Sequence, residues 1–292
     1  MTVDPGKVAS FEIAPYERGH AADDSVLYHL GLGLGHDPVD RNVLPFVYQD
    51  WGPRVLPTFA TVIGDSNHWL SDPALGLGAA PNVHGDETIT LHAPIPAEGT
   101  IKGQSRVVGL YDRGSGSHAI LVIEEEMVDA DSGQALATLR QTDVLIGAGG
   151  FGGPPPPVPE RAAMPDREPD AIHEQPVAAQ AALIYRLSGD HYALHVEPKF
   201  ARDAGFDGPI LHGLATYGIA CHAVVACCCD HEPERVQRFH GRFSAPVYPG
   251  DRLRTLIWRD GSAVWFETRA AGRDIVVLAN GRADLKGHAG GH

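Results

Sequence analysis

The sequence predicts an α+β chain made of two copies of one unit, each an antiparallel sheet wrapped around a buried helix. Three observations carry this reading. A long apolar segment is followed by evenly spaced strand-like runs, the same order of features occurs earlier in the chain, and a Gly/Pro-rich break separates the two.

The second copy is the plainer one. Gly213 to Cys229 is apolar almost all round, with Thr216 and His222 the main exceptions, and it is too long for one strand, so it predicts a buried helix. Strand-like runs follow over Val236 to Phe243, Arg252 to Arg259, Ala263 to Arg269 and Asp274 to Leu285. Turn signals at Pro249-Gly250, Asp260-Gly261 and Ala271-Gly272 separate them and predict a meander. The first copy has an apolar segment from Val55 to Ile63, then runs over Thr100 to Leu110, Ala119 to Val128 and Ala135 to Ile146. Three short matches lie in the same order: Tyr28-His-Leu with Tyr185-Arg-Leu, Val55-Leu56 with Ile210-Leu211, and Ala93-Pro94-Ile95 with Ala245-Pro246-Val247. Their offsets of 157, 155 and 152 drift slowly, as small loop deletions after a duplication would make them. Pairing two such units covers the open edge and exposed face that each would have alone.

Between the copies, Gly149-Gly150-Phe151-Gly152-Gly153 runs into Pro154-Pro155-Pro156-Pro157, a flexible stretch joined to a stiff one. The expected division is an N-terminal unit over 1–148, a linker over 149–168 and a C-terminal unit over 169–292. At 292 residues, 43% hydrophobic and 21% charged, the chain is long enough for two folded domains.

Composition also excludes some functions. A net charge of −14 argues against a nucleic-acid backbone as partner. No apolar run approaches the ~20 residues of a spanning helix, and Met1 to Tyr16 lacks a signal-peptide layout, so no membrane partner and a cytoplasmic home are the expectation. Cys221 and Cys227 to Cys229 suit neither a disulfide framework nor paired metal ligands, and are expected to be small buried side chains. The 16 histidines are scattered, and His231-Glu232 lacks the second histidine of a zinc-protease helix, so no metal is expected. Gly31-Leu-Gly-Leu-Gly35 lacks the strand before it and the full glycine pattern of a nucleotide loop.

Chemistry concentrates in the second copy. Tyr185-Arg-Leu-Ser-Gly-Asp190-His-Tyr-Ala-Leu-His195 places an acid and a histidine five residues apart, and Gly208-Pro-Ile-Leu-His212-Gly213 leads into the helix. A carboxylate can take a proton or orient a histidine, imidazole titrates near neutrality, and free N–H groups at a helix start can hold a developing oxyanion. Those parts suit proton transfer next to a thioester carbonyl and require no metal or redox cofactor.

These residues resemble the MaoC-like, type-2 (R)-specific enoyl-CoA hydratase family. Its pattern is Gly-Asp, any residue, Asn-Pro, an aliphatic and His, then Pro-Ile-Leu-His-Gly; Arg242-Phe-Ser-Ala-Pro-Val-Tyr-Pro-Gly250 also looks typical of it. The resemblance implies a double hot-dog fold and reversible hydration of a trans-2-enoyl-CoA to a (3R)-3-hydroxyacyl-CoA. It implies no cofactor beyond the coenzyme A of the substrate. Asp190 and His195 would hold and activate water, and the Gly213 amide would polarise the carbonyl.

The chain departs from that pattern in having Tyr192-Ala193 for Asn-Pro, and His191 or the Tyr192 hydroxyl could take over the lost hydrogen bond. His212 is a further supporting candidate. The first copy has Pro57-Thr58 where the second has His212-Gly213, so it is expected to bind a medium, long or bulky acyl chain rather than react, with Trp51, Phe59, Trp69 and Leu70 lining a tunnel. Lys199, Arg202 and Arg242 are the candidates for the coenzyme A phosphates. A non-catalytic acyl-CoA-binding or partner subunit is the alternative, and a hot-dog thioesterase ranks last. Edge pairing of such sheets would allow a homodimer.

Overall fold

The apolar run that starts at Gly213 forms a helix, Gly213–Cys228, in a computed structural model that describes residues 3–65, 67–77, 81–157 and 164–287. A helix apolar on every face has no side to turn to water, so it is stable only when enclosed. The sheet supplies the enclosure. The N-terminal half contributes β1 (Tyr16–His20), β2 (Asn82–Leu91), β3 (Gly99–Asp112), β4 (Ala119–Asp129) and β5 (Ala135–Leu145). The C-terminal half contributes β6 (Ala171–Pro176), β7 (Val236–Phe243), β8 (Arg252–Asp260), β9 (Ala263–Ala270) and β10 (Ile275–Leu285). The helix packs against all five strands of its own half and against the Pro57–Phe59 turn of the other.

All neighbouring strands are antiparallel, and their order carries the duplication. The first half runs β1-β3-β4-β5-β2 and the second, read from its outer edge, β6-β8-β9-β10-β7, which is the same order of equivalent strands. The equivalent strands β2 and β7 pair antiparallel, from Asp86 opposite Arg242 to Thr90 opposite Arg238, and join the halves into one 10-stranded sheet. Two copies related by a two-fold axis meet in this way, and the arrangement is the expected double hot-dog. Across the seam Thr88 Oγ1 lies 2.8 Å from His240 Nδ1.

Beneath the sheet, one continuous core draws on both halves and includes Tyr28, Phe46 and Phe59 from the first and Tyr185, Tyr217 and Phe239 from the second. Tyr28 and Tyr185, matched in sequence as repeats, meet ring to ring at 5.8 Å between centroids. Gly218 permits this packing: a Cβ there would lie 2.6 Å from the Tyr28 hydroxyl and 2.8 Å from Leu32.

Four features differ from the sequence reading. Strands β1, β2 and β6 were not foreseen, because two are short and polar and the apolar alternation of β2 is broken by His84, Gly85 and Asp86. The apolar segment of the first half is only a 3-10 turn, Pro57–Phe59, and one helical turn, Ala60–Ile63, before Gly64 ends it. A Cβ at Gly64 would lie 2.6 Å from the Glu125 carboxyl, so a larger residue there would have to displace that side chain. The first half's longest described helix is instead Ala22–Gly31. The glycine run after β5 is pinned rather than loose: the Gly150 and Gly152 amides each donate to the Asp112 carboxylate at 2.7 Å, and Phe151 packs on the outer apolar layer of the first half. Of the four cysteines, Cys227 is exposed and the other three are buried. No helix among the described residues is long and apolar enough to cross a membrane.

Enclosure has a consequence for pH. His222 of the central helix is 4% exposed, and neither ring nitrogen has a hydrogen-bond partner among the described residues. Its ring lies near His173 and His231, with centroids at 5.4 and 6.5 Å. Burial first, then the neighbouring histidines, push its pKa from 6.5 down to about 3. The native state therefore keeps His222 neutral while the unfolded chain protonates it. Its contribution to stability is complete above pH 6.5 and is lost as pH falls toward about 3. In urea unfolding, lowering the pH to about 5 should cost the parent about 2 kcal/mol more than a His222→Leu variant. Parallel pH dependences would contradict this.

Candidate active site

Asp190 is set by two successive turns. Gly189 has φ +129°, a backbone state that side chains disfavour, and the Tyr192 amide then donates to Asp190 Oδ1 at 3.0 Å. Ala193–His195 coils into a 3-10 turn, which carries His195 inward to 9% exposure while the Asp190 side chain stays 47% exposed.

The hydrogen bond behind His195 fixes its tautomer. Nδ1 lies 2.9 Å from the Ile210 carbonyl, which can only accept, so Nδ1 carries the proton and the Nε2 lone pair is free. That Nε2 lies 3.9 Å from Asp190 Oδ2. Burial pushes the imidazole below 6.5, opposed by the Ile210 carbonyl and the Asp190 carboxylate.

His212 stacks on His195, with centroids 3.7 Å apart and planes at 24°. Its Nε2 donates to the Asp190 backbone carbonyl at 3.1 Å and lies 4.0 Å from Oδ2. His212 is also the N-cap residue of the Gly213–Cys228 helix, so one imidazole ties the Asp190 turn to the helix entry. Burial, then the adjacent His195, push its pKa down to about 4. At the entry itself, the Ala215 and Thr216 amides donate to the His212 carbonyl, whereas the Gly213 and Leu214 amides have no acceptor among the described residues. A Cβ at Gly213 would come 3.3 Å from the Phe243 ring.

Asp190, His195 and His212 each offer a ligand atom, and all of these lie within 4.8 Å of one another, a spacing that a metal ion could also use. Two of the four nitrogens involved are already committed to backbone carbonyls.

A cavity of about 540 Å³ opens between the halves, running from Asp190, His191, Tyr192 and Leu214 to Glu87 and Glu125. Asp190, His195, His212 and Gly213 are brought together at the helix entry as expected from their spacing, and of these four Asp190 lines the cavity while the other three do not. Tyr192 joins the site through its amide; its ring leans on Phe200 and His195, at 5.4 and 6.2 Å, and its hydroxyl bonds no other described residue.

The residues proposed for the tail and the phosphates lie elsewhere, and none lines this cavity. Trp51 is 50% exposed beside Tyr48. Phe59 is buried in the main core against Tyr28. Trp69 donates its indole N–H to Asp65 and packs with Leu70 on the outer layer of the first half. Exposed Lys199 pairs with Asp203 at 2.6 Å, Arg202 sits exposed on the same short helix, and Arg242 is exposed on β7 opposite Asp86. Residues not foreseen include Arg18, Glu87 and Glu125 in the cavity wall. A signal existed for the two acids: Glu87 is in phase with Ile89 and Leu91, and Glu125 with Ile123 and Met127, positions that face the interior.

The sequence comparisons agree with this geometry. Residues 160–280 match the family model for the MaoC like domain, and residues 20–147 that for the MFE-2 hydratase 2 N-terminal domain. The chain is 36% identical over 279 residues to the peroxisomal enoyl-CoA hydratase 2 of Arabidopsis thaliana, covering 90% of this chain and 89% of that protein. It is 38% identical over 301 residues to 3-hydroxyacyl-thioester dehydratase Y of Mycobacterium tuberculosis, covering 97% and 99%. Among solved structures, the MaoC-like dehydratase of Phytophthora capsici superposes with a TM-score of 0.85 at 28% identity, over 98% of this chain and 100% of that one. With its strand order, its helix entry and these matches in agreement, the chain belongs to the MaoC-like, hydratase 2 family of double hot-dog proteins.

Proposed function

We propose that the protein is a hydro-lyase that reversibly hydrates a trans-2-enoyl-CoA to a (3R)-3-hydroxyacyl-CoA, on a medium, long or bulky acyl chain. The observation that carries this is the pairing of the free His195 Nε2 with Asp190 Oδ2 at 3.9 Å, beside the open amides of Gly213 and Leu214. That gap is too long for a direct hydrogen bond and short enough for one water to touch both groups.

The residues divide the work as follows. Water gives a proton to the Asp190/His195 pair as its oxygen bonds to the β carbon. The π electrons move toward the thioester oxygen, where the Gly213 amide stabilises the developing charge. The α carbon then takes a proton from the same pair, which would make the addition syn and restore the site. Each step is a proton transfer or a charge held by an amide, so no cofactor beyond the coenzyme A of the substrate is needed. His212 acts as a positioning residue by holding the Asp190 turn against the helix. The N-terminal half supplies the far wall of the cavity and would hold the acyl group.

The test follows loss of enoyl-thioester absorbance in the parent, Asp190→Asn and His195→Gln proteins. Turnover by the parent and a loss on the order of 100- to 10,000-fold in each variant are expected. Full activity in both variants would end the proposal. Tight binding without turnover would favour a binding subunit, and release of free thiol would favour a thioesterase.

The pH profile is a second check. Because burial lowers the His195 pKa, the base form persists below pH 6.5, and the acid limb of kcat/KM should fall below that value. A limb centred at or above 6.5 would show that His195 is not the base read from its hydrogen bonds.

A further inference from the structure

The cavity wall facing Asp190 is a poor match for a plain hydrocarbon. Glu87 lines it, with a side chain only 3% exposed; Oε2 lies 3.0 Å from His84 Nε2, and Oε1 has no hydrogen-bond partner among the described residues. Three other carboxyl groups line the cavity, those of Asp65, Glu125 and Asp190, and none of them has an enclosed oxygen left without a partner. Asp65 accepts from the Trp69 indole and the Ser105 hydroxyl at 2.8 Å, and Glu125 from the Tyr16 hydroxyl and the Asp65 amide. Ser188 Oγ, in the same wall as Asp190, is also unpartnered. A buried polar atom without a partner is costly, and where its residue lines a cavity a ligand's donor can complete the set.

Glu87 is also close to the chemistry. The His84 ring packs on Phe243 at 4.8 Å, and Phe243 in turn lies against Gly213, so two side chains separate Glu87 from the helix entry. Burial, opposed by His84, pushes the Glu87 pKa up to about 7. Near neutral pH the group can therefore accept or donate, which suits a neutral hydroxyl better than a fixed cation.

We infer that the acyl group of this protein's substrate carries a hydroxyl that hydrogen-bonds to Glu87. The inference rests on the hydratase reading above and adds to it the class of acyl group. A site built to bond a hydroxyl discriminates strongly against the analogue that lacks it, because its own polar atom is then left unpaired.

The experiment measures kcat/KM for 2-enoyl-CoA esters of stepped chain length, each made once with a terminal methyl and once with a terminal hydroxyl. The parent protein should favour the hydroxyl member by about ten- to a hundredfold at the length that reaches Glu87, and Glu87→Leu should reverse that preference. A parent that favours the methyl member at every length would overturn the inference, as would a hydroxyl preference undiminished in Glu87→Leu. Should the variant fail to fold, the preference of the parent decides alone. Turnover of the methyl esters without a hydroxyl preference removes only this inference, whereas no turnover of any ester removes the hydratase reading as well.

Discussion

The structure depends on the enclosure of one helix that has no polar face. Gly213–Cys228 must be covered on all sides, and five strands of its own half cover most of it. The remainder comes from the other half: Tyr28 and Leu32 seat on Gly218, and the Pro57–Phe59 turn packs alongside. The main core is shared by both halves, and the first half adds a smaller outer cluster of its own. The β2/β7 seam and the shared apolar cluster follow from the same requirement.

That requirement also creates the site. The side of the helix can be sealed in hydrocarbon, but its first amides need polar partners or an opening. Here the His212 carbonyl accepts the Ala215 and Thr216 amides, while the Gly213 and Leu214 amides have no acceptor among the described residues and Leu214 lines the cavity between the halves. The imidazole of the same residue bonds the Asp190 carbonyl and stacks on His195, so one residue ties the acid and the base to the helix entry. The first half has lost this arrangement: Pro57 stands at the equivalent entry, and its helix stops after one turn at Gly64. Glu125 and Glu87 of the first half line the cavity opposite Asp190 and Leu214 of the second.

The reacting groups were legible because they are local. Asp190, His195, His212 and Gly213 fall within one short stretch, and a helix start is visible from its apolar run. The strands β7 to β10 were legible because glycine and proline turns punctuate them. The edge strands β1 and β6 are short and half-polar, and their pairing is decided by distant partners in β3 and β8. Trp51 and Trp69 show a further limit. An aromatic side chain signals packing but not which side of a sheet it packs on, and Trp69 lies on the outer layer. Glu87 and Glu125 carried a readable signal, charge at an inward strand position, but their meeting in one cavity depends on a fold that brings β2 and β4 to the same wall.

The central claim is that a single site, with its chemistry in the second half and its far wall in the first, lies at the helix entry. A crystal structure of the Asp190→Asn variant with a bound 2-enoyl-CoA tests it most directly. The account predicts the thioester oxygen on the Gly213 amide, the β carbon facing His195 Nε2 and the acyl group directed toward Glu87 between the halves. A thioester bound away from Gly213, or an acyl group lying wholly within one half, would contradict it.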